Sequence, residues 1–148
     1  MPVMFLDFDG VLHPEFCHES RYFECTHHLA SACGECDLDI VISSTWRHKM
    51  DLDVLKARFP DSLAQRIVGA TSAYAALEGL PTKVMPFERE AECLGWMRAN
   101  RPGHARWIAV DDRSWLYRPF CAELFLVDGK TGLNAAAAAR LRHQVHSL

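Results

Sequence analysis

The sequence predicts an α/β fold: a three-layer, doubly wound (Rossmann-like) parallel sheet of five strands. Three observations carry this. Five short apolar runs recur without polar alternation, the pattern of strands covered on both faces. The segments between them are longer and place apolar residues three and four apart, as helices do. At 148 residues and 49% hydrophobic composition, the chain is long enough for one core and apolar enough to fill it, so residues 1–148 read as a single domain.

Taken in order, the runs are residues 3–6, 40–42, a weaker 67–68, 107–110 and 124–127. Residues 29–35 between the first two are amphipathic. Residues 51–59 place Leu52, Leu55 and Phe59 at helical spacing, and Pro60 ends that element. Residues 87–100 place Ala91, Leu94 and Met97 three apart until Arg101-Pro102-Gly103 stops them. Asn134 caps a last helix that reaches about Val145, with Leu141 and Val145 on one face. Strand and helix in alternation build βαβ units, and such sheets bind ligands beyond the carboxyl ends of their strands.

Composition narrows the function. No apolar run approaches the roughly 18 residues of a membrane span. Residues 1–7 lack the basic start of a secretory leader, which makes the cytoplasm the expected compartment. A net charge of −3 argues against a general nucleic-acid coat, so any such contact is expected to be local and salt-sensitive. Six cysteines (17, 25, 33, 36, 93 and 121) are expected as reduced thiols. Cys33-Gly34-Glu35-Cys36, with His18, His27 and His28 nearby, raises a zinc site within residues 17–36. The alternative is one apolar helix face of Leu29, Ala32, Cys33 and Cys36.

The strand ends carry the chemistry. Asp7-Phe8-Asp9-Gly10 follows the first run; its two carboxylates, two residues apart, would share one side of an extended segment and face the crevice. Close carboxylates repel, so they need a cation or a raised pKa, and magnesium suits such oxygen ligands. Gly10 permits a sharp turn directly after them. The competing reading is a solvated loop. Ser43-Ser44-Thr45 follows the second run as an anion cradle or a helix cap, with Arg47, His48 and Lys49 adding positive charge. Asp111-Asp112 ends the fourth run and would converge with Asp7 and Asp9 if the first and fourth strands are neighbours.

These residues resemble the haloacid dehalogenase (HAD) superfamily. Asp7-Phe8-Asp9-Gly10 matches its first motif, Ser43 its second and Asp111-Asp112 its fourth. The stretches FLDFDGVLHP, ISSTWR, VGAT and Val110-Asp111-Asp112 are similar to the small HAD domains found alone and in Swiss Army Knife RNA-repair proteins. The resemblance implies a magnesium-dependent phosphatase of capless HAD fold. Asp7 would be the nucleophile that becomes an aspartyl-phosphate. Asp9 would protonate the leaving oxygen and then activate water. Magnesium (Mg2+) would sit on the Asp7 carboxylate, the Asp9 backbone carbonyl and Asp112. Asp111 would orient the third-motif cation, and Ser43 with the Ser44 backbone N–H would hold phosphate oxygens. Arg89 fits the third motif, with Lys83 its rival. Arg89 paired to Glu88 or Glu92 on a solvated face is the alternative.

Neither interval between motifs leaves room for a cap domain. An open site suits a phosphomonoester on a large substrate, such as a polynucleotide end, or a partner subunit acting as lid in an oligomer. Residues 13–28, with Phe16, Tyr22 and Phe23, are expected to form a partial flap. Trp46, Trp115 and Tyr117 are placed either to stack on a base or to pack against helices, and Arg47, Arg113 and Arg118 to contact a phosphate chain. The rival functions are a catalytically silent HAD-like module that binds a phosphorylated partner or RNA, and a phospho-accepting receiver.

Overall fold

The computed structural model describes residues 1–103 and 105–148. The five apolar runs form strands β1 (Val3–Leu6), β2 (Asp39–Ile42), β3 (Ile67–Ala70), β4 (Trp107–Asp111) and β5 (Leu124–Leu126). All pair in parallel, in the order β3-β2-β1-β4-β5. β1 is therefore central, which is why all four of its side chains are buried. The pairing of β2 with β3 shifts register between Ile40 and Val41, and Val68 of β3 is left exposed. That irregularity matches the weakness of the third run.

The helices are α1 (Thr26–Cys33), α2 (Leu52–Lys56), α3 (Asp61–Ala64), α4 (Glu88–Asn100) and α5 (Ala135–His146). Alternate strand residues face opposite ways, so the core divides into two layers. Met4, Leu6, Ile40, Ile42, Ile108 and Val110 pack under α1, α2, α3 and α5. Val3, Phe5, Val41 and Ala109 pack under α4, through Cys93 and Met97. Burying a side chain of this size contributes roughly 1.5–3 kcal/mol. The Asn134 side chain accepts the Ala137 N–H at 2.9 Å and caps α5. The expected helix over 51–59 is shorter: α2 stops at Lys56, and Pro60 sits at the start of α3, where a missing N–H costs nothing.

Between β1 and β2 the chain makes a 3-10 turn (Glu19–Arg21) and α1, and between β3 and α4 two further turns (Tyr74–Ala76 and Thr82–Val84). No cap domain is inserted among the described residues. None of the described helices is long and apolar enough to cross a membrane. All six cysteines are free. Cys33 lies in the core beside Leu29 and Ala32, and Cys36 packs against the same cluster. Burial pushes the Cys33 thiol up to about 11, which disfavours the thiolate that zinc needs. The apolar-face reading of residues 33–36 therefore fits this geometry better than zinc.

Candidate active site

Register places the site. Leu6 pairs with Ile42 and Val110, and Ile42 pairs with Ala70. The next residue on each strand then falls in one row at the carboxyl edge: Thr71, Ser43, Asp7 and Asp111. Neighbouring strands stand about 4.8 Å apart. Backbone bonds continue the ladder into this row, from Ser43 N–H to the Leu6 carbonyl (3.0 Å) and from Asp7 N–H to the Val110 carbonyl (3.1 Å).

Oxygens of Asp7, Asp111 and Asp112 lie within 4.8 Å of one another. Arg89, the second residue of α4, reaches between them, with Nη1 2.9 Å from Asp111 Oδ2 and 3.2 Å from Asp7 Oδ1. It is 5% exposed, so it does not sit on a solvated face; Glu92 pairs instead with Arg47, and Lys83 is exposed on the Thr82–Val84 turn. Asp111 is fully committed: besides Arg89 it accepts the Tyr117 hydroxyl at 3.1 Å and the Arg113 N–H at 3.0 Å. Asp7 and Asp112 are the carboxylates left over. Burial, reinforced by the Asp111 charge, pushes the Asp7 carboxyl well above its ordinary range. Burial likewise raises Asp112. The surrounding carboxylates keep Arg89 charged despite its burial.

These residues fit a hard divalent cation. Asp112 Oδ1 is buried without a partner. Gly10 (φ +80°) leaves space that a Cβ would fill at 2.2 Å from Asp112 Oδ2, and a Cβ on Gly129 would meet the same oxygen at 2.6 Å. Two crowded carboxylates with a spare buried oxygen suit Mg2+, which takes oxygen ligands and relieves their repulsion.

Asp9 is elsewhere. The expectation that both carboxylates of the first motif share one side of an extended segment is corrected. Extended geometry ends at Leu6, and the chain turns at once: Val11 and Leu12 N–H both donate to the Phe8 carbonyl, and Gly10 N–H donates to the His13 carbonyl. The Asp9 carboxylate stays outside the acidic group, which leaves its backbone carbonyl as its only candidate ligand for the cation. Its side chain is 43% exposed; Oδ1 is 2.7 Å from His13 Nε2, and Oδ2 accepts the Trp46 indole N–H at 3.0 Å. The His13 hydrogen bond leads the causes that hold Asp9 below the usual carboxylate range.

The hydroxyl row completes the site. Ser43 Oγ and Thr71 Oγ1 are buried and unpartnered. Ser44 Oγ is occupied, accepting the Trp46 N–H at 3.3 Å as a helix cap. The Arg47 side chain is buried and spent on the carbonyls of Thr71, Ser43 and Ser44 (2.8 Å each) and on Glu92 (2.7 Å). It therefore holds the cradle from behind and is not a free contact for a phosphate chain. Arg118 is bound to Glu90 at 2.6 Å, and the buried Tyr117 ring offers no stacking face. Trp115 is 67% exposed. Trp46 packs edge-on against Phe8, Phe23 and Tyr22 and also reaches Asp9. Tyr22, Thr45, Trp46, Lys49 and Met50 line a groove of about 310 Å³ that has Asp9 as its remaining wall. Thr71 joins this row beyond the residues that the motifs mark, and its signal in the sequence, a hydroxyl directly after an apolar strand, repeats that of Ser43.

The family model described as the HAD domain in Swiss Army Knife RNA repair proteins matches residues 3–138. No curated protein and no solved structure matches the chain.

Proposed function

The chain belongs to the family of HAD domains in Swiss Army Knife RNA repair proteins, and from that premise we propose that it is a magnesium-dependent phosphatase acting on a phosphomonoester through an aspartyl-phosphate. HAD domains are generally phosphohydrolases. The supporting observation is the row of Ser43, Asp7 and Asp111 crossed by Arg89, which sets a buried carboxylate beside a fixed cation and an unpartnered hydroxyl.

The Asp7 carboxylate attacks phosphorus and forms the new P–O bond as the bond to the leaving oxygen breaks. Asp9 gives its proton to that oxygen. In the second step Asp9 takes a proton from water as the water oxygen bonds to phosphorus and Asp7 is released. Ser43 Oγ–H and the Ser44 N–H hold phosphoryl oxygens, and Arg89 offsets the charge between anionic nucleophile and anionic substrate. Such donors commonly contribute on the order of 10²–10³ each. Asp7, Asp112 and the Asp9 backbone carbonyl would hold Mg2+, which would supply further charge neutralisation for the transferring group. Asp9, whose proton affinity is lowered in the free protein, takes up a solvent proton when a phosphate dianion sits beside it, and this is the proton it gives to the leaving oxygen.

The leaving group exits on the Asp9 side, into the groove of Tyr22, Trp46, Lys49 and Met50. Aromatic walls with a cation suit a base and a phosphate chain, so a polynucleotide end is the substrate we favour. Asp7→Asn assayed with para-nitrophenyl phosphate and magnesium tests the reading. Turnover by the parent and none by the variant is expected. Retained turnover by the variant overturns the role of Asp7, and binding without turnover across a broad phosphoester panel favours a silent module.

A further inference from the structure

We propose that His13, fixed as its Nε2–H tautomer, is the positioning residue that aims the Asp9 carboxylate at the leaving oxygen; this rests on the phosphatase reading above. His13 is 1% exposed. Its two ring nitrogens face different partners. Nδ1 receives the backbone N–H of Phe23 at 3.2 Å, and an amide N–H can only donate. Nδ1 must therefore present its lone pair. The ring proton of the neutral imidazole then sits on Nε2, 2.7 Å from Asp9 Oδ1, and is donated there. The other Asp9 oxygen is held by the indole of Trp46, which also can only donate. Both oxygens are gripped by donors, and neither donor has a lone pair free to accept the proton that Asp9 handles. That proton can be exchanged only on the half-exposed, groove-facing side.

The surroundings fix the ring. Tyr22 stacks on it at 4.7 Å, and Phe23 and Trp46 pack around it at 5.6 and 6.0 Å. Its own carbonyl is tied to the Gly10 N–H, so His13 and Asp9 are bridged through backbone as well as side chain. Phe23 adopts φ +64°, a left-handed conformation that a bulky residue avoids. The same residue donates the N–H that Nδ1 accepts, and strain of this kind persists where the surrounding structure enforces it. The Phe23 N–H thus fixes the tautomer, and the tautomer fixes Asp9.

Leaving-group dependence separates this role from a merely structural one. kcat/KM is measured for esters running from para-nitrophenyl phosphate to alkyl phosphates, in the parent, His13→Phe and His13→Gln. His13→Phe keeps a packed ring without nitrogens; its loss is expected to reach about 10²-fold on alkyl esters and to be at least roughly tenfold smaller on para-nitrophenyl phosphate. His13→Gln, whose amide still donates toward Asp9, is expected to recover most of the alkyl-ester loss. An equal loss on every ester, or no loss, overturns the proposal. Nitrogen NMR of the unmodified protein reads the tautomer directly, whether or not the variants fold: a pyridine-like Nδ1 and a protonated Nε2 support the proposal, and an Nδ1–H ring overturns it. A parent inactive on every ester brings down the phosphatase reading and this role together. An active parent with unchanged ester dependence in His13→Phe brings down this role alone.

Discussion

Asp7 and Asp9 stand two residues apart in one short motif, yet their surroundings push them in opposite directions. Asp7 is buried among carboxylates and Arg89, and its proton affinity is raised. Asp9 is half-exposed between two N–H donors, and its proton affinity is lowered. The difference teaches how one turn divides labour between like residues. Ending the strand at Leu6 leaves Asp7 in the charged row and swings Asp9 onto the aromatic groove. Pairs of titratable groups pushed apart in this way mark separate chemical roles.

The widest gap between the two regions should show in Arg89, which touches only the Asp7 side. Arg89→Met leaves Asp7 and Asp111 buried without their cation, and is expected to cost about 3–5 kcal/mol in urea unfolding. A loss below about 1 kcal/mol would put the pair among ordinary surface contacts and break the contrast. Magnesium is expected to act next most strongly. At a hundred times its dissociation constant it should stabilise the protein by about 2.7 kcal/mol, and Asp112→Asn should remove most of that gain. Calorimetry with and without chelator measures both.

The third contrast is one of sign. A carboxyl whose folded-state pKa is raised favours folding only while protonated, so the Asp7 penalty is absent below the unfolded value and complete above the folded one. In metal-free protein at neutral pH, Asp7→Asn should therefore raise Tm by at least about 2 °C, the response to roughly 1 kcal/mol, and the gain should fade as pH falls toward the unfolded value. Asp9 has the opposite sign: its contribution is present above the unfolded pKa and lost as pH falls through the lowered folded value. Asp9→Asn should lower Tm at neutral pH. Equal signs for the two variants would erase the distinction. The smallest effect is expected from Trp46→Phe, which removes one hydrogen bond from Asp9. It should cost about 1 kcal/mol and return the Asp9 titration, followed by carbon NMR, toward its ordinary range.

Much of this was legible in the chain. The apolar runs located every strand because a sheet covered on both faces needs uninterrupted apolar residues, and the acidic pairs stood out because they directly follow two of those runs. Helix ends were less legible. The short α3 (Asp61–Ala64) follows from Pro60 opening a helix, a use that a local pattern does not separate from ending one. The direction of Asp9 was not legible either. Period-two alternation holds only while the chain is extended, and the turn at Gly10 leaves no room for a Cβ because Asp112, just past β4, lies against it. Arg47 misled for a related reason: a basic residue beside a cradle suggests an anion, whereas here the nearest acceptors are the cradle's own carbonyls and Glu92.

In the proposed reaction Asp7 takes the phosphoryl group while Asp9 serves it. Fluorine NMR of a beryllofluoride complex, which mimics a phosphorylated carboxylate, reads this division of roles without turnover. A bound signal is expected that requires magnesium in the parent, persists in Asp9→Asn and is absent in Asp7→Asn. A bound signal in Asp7→Asn, or none in the parent with magnesium present, would contradict it.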